Sequence, residues 1–517
     1  MKIENPQGPA GPAESMLFIH PPVAKPSEPP AGLAKLAGAV KHHRLKAQFV
    51  DANLEALLQR LSNPSGLTDK WTLRAEKHLP ANLASLLDGQ AFRQIDRYKK
   101  TILDINRVVQ AALPQADGTL SLMNYHDARL SPVRSQDLIN AAEHPERNPF
   151  YDYFQIRLED LLAEEQPSLV GISLNYLSQA LCAFALAGYV RKKAPGLKII
   201  MGGGLVTSWL AGLGEQHPFA GLVDEWVAGP GEGPVLLRQG IENIESHYRP
   251  DYNVFTGLRY LSPGFILPYS ASSGCYWNRC TFCPECAERN RFRPVPPQQV
   301  LKDLEVLIEE TRPVLVHLLD NAISPVLLRY LSENPLPIPW YGFVRMAEDL
   351  ADPEYVRALR RAGCVMLKLG LESGDQTVLD RLQKGIDLET ASKVLVNLKE
   401  AGIETYVYVL FGTPAEDQVR ARRTLDFLVR HSRSIGFLNL AIFNLPIHSP
   451  DAQGLETGHF YEGDLSLYRQ FRHPLGWDRS LVRQFLDREV KRHPAVAAIL
   501  RRDPPLFTSN HAPFIRE

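Results

Sequence analysis

From about residue 266 the chain alternates short apolar runs with amphipathic stretches, and this rhythm limits its fold more than any other feature. Runs of strand length stand at 267–272, 314–319, 339–344, 364–370, 404–411 and 437–443, with helix-period patterns between them, as at 297–310 and 389–401. In those helices apolar residues recur three and four positions apart, which gives one face to a sheet. Gly363 and Gly402 stand just ahead of strands, where helix ends favour glycine. Alternating strands and helices predict a parallel sheet covered by helices, here a partial (β/α)6 barrel over 262–445. In such sheets ligands gather at the carboxyl ends of the strands.

The first of those strand ends carries the densest chemistry. Four of the six cysteines, Cys275, Cys280, Cys283 and Cys286, fall in the string GCYWNRCTFCPEC. Thiolates this close suit one soft metal centre, zinc or an iron–sulfur cluster. A disulfide knot suits small, cysteine-rich secreted chains, and this chain is long and otherwise poor in cysteine. Structural zinc commonly takes two ligand pairs separated by a longer loop, whereas here all four lie in one run, and the next histidine downstream is His317. A cluster held by three of the four, with one iron open, fits better. Two triples offer themselves: Cys275, Cys280 and Cys283, or the evenly spaced Cys280, Cys283 and Cys286.

The order Gly274-Cys275, four residues, Cys280-Thr281-Phe282-Cys283 resembles the cluster loop of radical S-adenosylmethionine (radical SAM) enzymes, with one residue inserted after the first cysteine. Further strings resemble the cobalamin-associated branch of that superfamily: Gly370-Leu371-Glu372-Ser373 after the fourth strand, then Lys384-Gly385, then Gly412-Thr413-Pro414-Ala415-Glu416 after the fifth. The resemblance spans about 265–445. It implies a [4Fe-4S] cluster on Cys275, Cys280 and Cys283, and S-adenosylmethionine held by Phe282, Arg345, Glu372, Ser373, Gly412 and Pro414. Cys286 is left as a spare thiol, a resting-state ligand or a catalytic group. Asp320 and Asn321 either face a ligand or cap the next helix.

The first half also alternates. Strands are predicted at 16–22, 47–51, 169–174, 198–204 and 222–228, with helices at 32–43 and 178–193. They predict a doubly wound, Rossmann-like domain over 14–250, with a mainly helical insertion at 64–150. The Pro-Pro closing the first strand, Gly171-Ile172-Ser173, Gly202-Gly203 and Gly229-Pro230-Gly231-Glu232 resemble the cobalamin-binding domain that precedes many radical SAM domains. The resemblance implies cobalamin contacts at Ser173, Gly202, Gly203 and Glu232. The Asp-x-His-x-x-Gly loop that supplies a lower axial ligand is absent; Asp51-Ala52-Asn53-Leu54-Glu55 stands there without histidine. Either cobalamin binds without a protein histidine on cobalt, or the domain has lost cobalamin and kept the fold.

Residues 1–13 are expected to form a loose tail, and 446–517 a helical extension with helices near 479–491 and 494–501. His511 is expected on a surface tail rather than at the site. With 57 basic and 58 acidic residues, nucleic acid and anionic membranes are not expected as main partners. No signal segment or membrane span is read, so a cytoplasmic enzyme is expected, where reduced thiols persist. The family resemblance further implies a small-molecule substrate and a reductant such as flavodoxin or ferredoxin. Two other classes fit part of the pattern: an iron–sulfur sensing or electron-transfer protein, and a cobalamin carrier without turnover. The converging Arg345, Glu372 and Gly-Pro strings speak against a pure electron carrier, which needs no ligand mouth.

Overall fold

The structure is a computed structural model, and it describes residues 15–515 apart from 65, 67, 112, 114–115, 214–217, 460–462 and 505–510. The expected tail at 1–13 and part of the C-terminal string lie outside the described residues. The chain divides into two compact units, Met1–Leu73 with Asn106–Leu258, and Arg74–Ile105 with Arg259–Glu517.

The first unit is built on five parallel strands: β1 (Met16–Ile19), β2 (Ala47–Val50), β3 (Leu169–Ser173), β4 (Lys198–Gly202) and β5 (Glu225–Val227). Their spatial order is β2-β1-β3-β4-β5, so the order reverses between β1 and β3. Such a switch opens a crevice at the strand ends. All four residues of β1 are buried, the continuous apolar run expected of a strand covered on both faces. Helices α1 (Ala31–His42), α2 (Ala52–Ser62) and α3 (Leu177–Lys193) belong to this unit. Every residue of α3 from Gln179 to Val190 is buried, so it runs through the core rather than over it. The strands end earlier than their apolar runs, β1 at Ile19 because Pro21 and Pro22 cannot donate to a ladder.

The second unit holds six parallel strands in strict chain order: β6 (Ile266–Tyr269), β7 (Leu315–Leu318), β8 (Trp340–Val344), β9 (Cys364–Glu372), β10 (Glu404–Phe411) and β11 (Phe437–Ile442). Consecutive neighbours joined by helices give the partial barrel that the sequence predicts. Helices α4 (Pro297–Thr311), α5 (Pro325–Glu333), α6 (Pro353–Arg361), α7 (Gln376–Arg381), α8 (Leu388–Glu400) and α9 (Gln418–Arg430) follow the strands. Ser324, Asp352, Asp375, Asp387 and Asp417 cap the last five, each accepting a backbone N–H of the first turn. These short polar residues mark where each strand-end loop turns into its helix.

The segment expected as one helical insertion, 64–150, is divided. Residues 74–105 group with the second unit, where Phe92 and Tyr98 stack on Phe514 at 5.1 and 4.9 Å. The rest includes an antiparallel hairpin, Gly118–Leu120 with Tyr125–Asp127, that the charged pattern did not suggest. The C-terminal extension is likewise not purely helical: Leu445–Pro446, Tyr468–Phe471 and Thr457–His459 form a small antiparallel sheet before helices Arg479–Phe485 and Pro494–Leu500. His511 corrects its expectation. It is buried, stacked on Tyr406 at 4.1 Å and Phe437 at 4.6 Å, near the amino ends of β10 and β11 and away from the strand-end mouth.

Candidate active site

The cysteine loop leaves β6 and is fastened on two sides. On one side Asp320, just past β7, accepts Ala271 N at 3.1 Å and the Ser272 hydroxyl, and Asn321 Nδ2 lies 3.4 Å from Gly274 O. Burial raises the Asp320 carboxyl, and these donors hold it down. Asp320 and Asn321 therefore brace the loop, while Ser324 caps the helix. The loop's stem is closed by a short antiparallel pairing of Ser272–Ser273 with Arg293–Pro294.

On the other side stands the turn after α7. Its four successive carbonyls all accept from the cysteine loop or from Arg345. Leu382 O takes Thr281 N at 3.1 Å, Gln383 O takes Trp277 Nε1 at 2.9 Å, and Lys384 O and Gly385 O share Arg345 Nη2, the latter at 3.1 Å. The Arg345 guanidinium lies 3.9 Å from the centre of the Trp277 ring. Trp277 occupies the four-residue gap between the first two cysteines, and the next residue, Asn278, takes a φ of +42° to turn the lengthened loop. Sequence reading did not single out Trp277; its only signal was an aromatic residue inside the inserted gap.

Phe282 packs on Val378, Leu382 and Ala415. Lys384 Nζ stands 5.5 Å from its ring centre and donates to Glu372 Oε1 at 2.8 Å. Side-chain exposure is 10% for Lys384 and 12% for Glu372, so this is a largely desolvated ion pair at the end of β9. Glu372 has a φ of +67°, beside a register shift in β9. Gly370 makes the room: a Cβ there would lie 2.6 Å from Glu372 Oε1 and 2.7 Å from Lys384 Nζ. A non-glycine residue held at such a φ is strained, and such strain gathers at ligand clamps.

Burial raises the thiols of Cys280, Cys283 (to about 11) and Cys286 (to about 12). Cys280 is drawn back down by the charges of Lys384 and Arg345, and Cys286 is raised further by Cys283, Cys280 and Cys275. The four thiols thus lie within one another's electrostatic reach. Among the described residues no three His, Cys, Asp or Glu side chains stand at metal-ligating separation. The donor set nonetheless fits an iron–sulfur cluster: soft sulfur ligands on one loop, beside two fixed cations that favour thiolate.

Two residues of the expected ligand set have other partners. Ser373 is fully buried, its hydroxyl 3.1 Å from Thr424 Oγ1 and accepting Asp375 N at 3.1 Å. It organises the start of α7, a role that its place beside Glu372 could not reveal. Gly412, with a φ of +80°, donates its N–H to Glu416 Oε2 at 2.6 Å, and Trp477 Nε1 donates to the same oxygen at 3.1 Å. Pro414 is half-buried in that turn. Burial pushes the Glu416 carboxyl up to about 8. Because the unfolded chain releases this proton near pH 4.5 and the folded chain keeps it to about 8, stability from this group is full below pH 4.5 and falls between those values. Glu416→Gln should remove that fall and stabilise the chain by about 1–3 kcal/mol at pH 8 relative to pH 5. Urea unfolding of both proteins at the two pH values checks it; parallel shifts would refute it.

In the first unit Ser173 and Gly202 are register partners at the ends of β3 and β4, and Gly203 follows with a φ of +113°. Asn175, which the sequence did not suggest, ties them together. Its Nδ2 lies 3.1 Å from Ser173 Oγ, and its Oδ1 accepts Gly204 N at 3.0 Å. Glu232 is buried and paired with Lys35 of α1 at 3.1 Å. Asp51 caps α2 by accepting Leu54 N at 3.0 Å, and Asn53 accepts Ala24 N at 2.8 Å. That loop is thus structural where the axial-ligand loop would stand. The nearby His20 is buried, and burial lowers it to about 4, so it stays neutral.

Residues 269–428 match the radical SAM superfamily. An uncharacterized methyltransferase of Pyrococcus horikoshii is 23% identical over 198 residues, covering 36% of this chain and 42% of that protein. The anaerobic magnesium-protoporphyrin IX monomethyl ester cyclase of Rubrivivax gelatinosus is 25% identical over 199 residues, covering 36% of this chain and 35% of its own. The matches therefore span under half the length of these relatives. Among solved structures, the radical S-adenosylmethionine methyltransferase TsrM of Kitasatospora setae, with cobalamin and a [4Fe-4S] cluster bound, aligns over 87% of this chain and 81% of its own, at 15% identity and a TM-score of 0.52. The cobalamin-dependent S-adenosylmethionine radical enzyme OxsB, with aqua-cobalamin bound, aligns over 89% of this chain and 64% of its own, at 12% identity and a TM-score of 0.55. Residues 269–428 thus match the radical SAM superfamily, and the chain has a fold similar to those of TsrM and OxsB.

Proposed function

We propose that the chain is a radical SAM enzyme that binds S-adenosylmethionine at the strand-end mouth of its second unit and cobalamin at the strand ends of its first. It would methylate a small-molecule substrate or rearrange it by a radical route. The observation that carries this is the cysteine loop braced by Asp320 on one side and on the other by the carbonyls of Leu382 and Gln383 and by Arg345, itself tied to Lys384 O and Gly385 O, beside the Lys384–Glu372 pair. A ligand-free electron carrier would have no use for a desolvated ion pair and a fixed arginine next to its thiols.

Cys275, Cys280 and Cys283 would hold the cluster, with Gly274 ahead of the first and Phe282 ahead of the third. Glu372 Oε1 is taken by Lys384, which leaves Oε2 to accept an ammonium or ribose hydroxyl. Arg345, tied through Nη2, offers its remaining N–H groups to a carboxylate. When bound, a [4Fe-4S] cluster supplies the electron that cleaves S-adenosylmethionine, and cobalamin supplies a methyl carrier. Ser173, Gly202 and Gly203 would let a corrinoid approach the backbone of β3 and β4 closely. The methyltransferase relative and the cobalamin-loaded neighbours support methyl transfer; the cyclase relative supports the radical branch. No helix among the described residues is long and apolar enough to cross a membrane. We place the enzyme in the cytoplasm, with flavodoxin or ferredoxin as reductant.

Anaerobic reconstitution with iron, sulfide and hydroxocobalamin, followed by reduction with S-adenosylmethionine present, tests this. The expected products are 5′-deoxyadenosine or S-adenosylhomocysteine, with a corrinoid absorption that stays with the protein through gel filtration. A loaded cluster that neither binds nor cleaves S-adenosylmethionine would favour a sensing or electron-transfer protein. Cleavage without corrinoid retention would remove cobalamin from the reading.

A further inference from the structure

The turn after α7 does more than dock the cysteine loop. Its third residue sends a cation back across the site. Lys384 Nζ lies 5.5 Å from the centre of the Phe282 ring, between Cys280 and Cys283 in sequence, and 2.8 Å from Glu372 Oε1. Its backbone is fixed at both ends, the N–H on Leu379 O at 3.0 Å and the carbonyl on Arg345. The ammonium has little freedom, since its side chain is 10% exposed and Gly370 leaves no spare space beside it. One group thus touches both the loop that carries the thiols and the carboxylate at the end of β9.

We propose that Lys384 is a positioning residue that couples the cysteine loop to the Glu372 carboxylate, holding a fixed positive charge beside the cluster. This rests on the radical SAM reading above. A nearby fixed charge acts directly on the reduction potential of an iron–sulfur centre. The Lys384–Glu372 pair is balanced, so removing either member leaves the other's charge uncompensated in a poorly solvated place. Lys384→Met leaves a bare carboxylate and should make the cluster harder to reduce. Glu372→Gln leaves a bare ammonium and should make it easier to reduce. A part played only through packing would not produce opposite signs from two neighbouring neutralisations.

The test is redox titration of the reconstituted holoenzyme, wild type against Lys384→Met, Lys384→Arg and Glu372→Gln, without S-adenosylmethionine, alongside iron and sulfide content. The expected result is a midpoint potential displaced negatively in Lys384→Met, displaced positively in Glu372→Gln and restored in Lys384→Arg. A second readout adds S-adenosylmethionine: Lys384→Met should lose the change it causes in the electron paramagnetic resonance spectrum of the reduced cluster. Displacements of the same sign, or none, would overturn the proposal. Should Lys384→Met fail to fold, the sign in Glu372→Gln decides alone. Failure of the wild type to assemble a cluster would instead sink the radical SAM reading itself, so the two failures are distinguishable.

Discussion

Cys280→Ala should abolish cluster binding, and with it all formation of 5′-deoxyadenosine, in a chain that stays folded. Cys280 is 8% exposed, at the point where the loop meets the charges of Lys384 and Arg345. The fold does not rest on its sulfur. The loop is held by Asp320, by the carbonyls of Leu382 and Gln383 and by Ser449 Oγ, which donates to Thr281 O at 2.8 Å, and none of these bonds uses a thiol. Alanine therefore removes a ligand and leaves the loop docked. Iron and sulfide per chain should fall to background while the melting temperature of the apo chain is unchanged. Cys286→Ala should keep the cluster, since Cys286 lies within the short helix Pro284–Ala287 beyond the favoured triple. If Cys286→Ala loses iron and Cys275→Ala keeps it, the evenly spaced triple holds the cluster instead.

Gly385→Ala should undock the cysteine loop without touching a cysteine. Gly385 has a φ of +62°, and a Cβ there would lie 2.1 Å from Trp277 Cζ2 and 2.5 Å from Cη2. An alanine in the left-handed region costs about 1–2 kcal/mol, and overpacking adds about 1–3 kcal/mol. Trp277 is the side that can yield. Its movement would break the bond to Gln383 O and the stack under Arg345. The variant should melt earlier and reconstitute with less iron. Adding Trp277→Ala to Gly385→Ala makes room for the new methyl, so the double variant should regain melting temperature but not full iron content. A Gly385→Ala protein with wild-type iron content would show that the clamp is not needed.

The six-stranded sheet of the second unit was legible from periodicity. The run at 404–411 is β10 to the residue, and Pro297–Thr311 lies within one residue of its predicted span. Strong alternation of type left little room for error there. What stayed hidden depends on contacts between segments far apart in the chain. Ser373 is read beside Glu372, and the meeting of its hydroxyl with Thr424 on α9 could not be read with it. Glu416 reads as the last residue of a strand-end string, and its cover by Trp477, 61 residues on, does not show there. His511 reads as a tail residue because nothing in its own neighbourhood shows that Tyr406 and Phe437 receive it. The helical segment 74–105 could not be assigned to a unit by pattern, since an amphipathic helix shows that it needs a partner and not which one.

The strip of carbonyls at 382–385 has an evolutionary corollary. Main-chain oxygens are present whatever the side chains, so a cysteine loop that docks on them is insulated from drift in the turn that receives it. Gln383 is exposed and holds a φ of +51°, so glycine or asparagine there would ease the turn and leave its carbonyl in place. The side chains that the docking does depend on are those of Lys384 and Trp277, with the bare Gly385 beneath the ring. In this chain the four-residue gap between the first two cysteines carries its own anchor, a ring seated over a glycine.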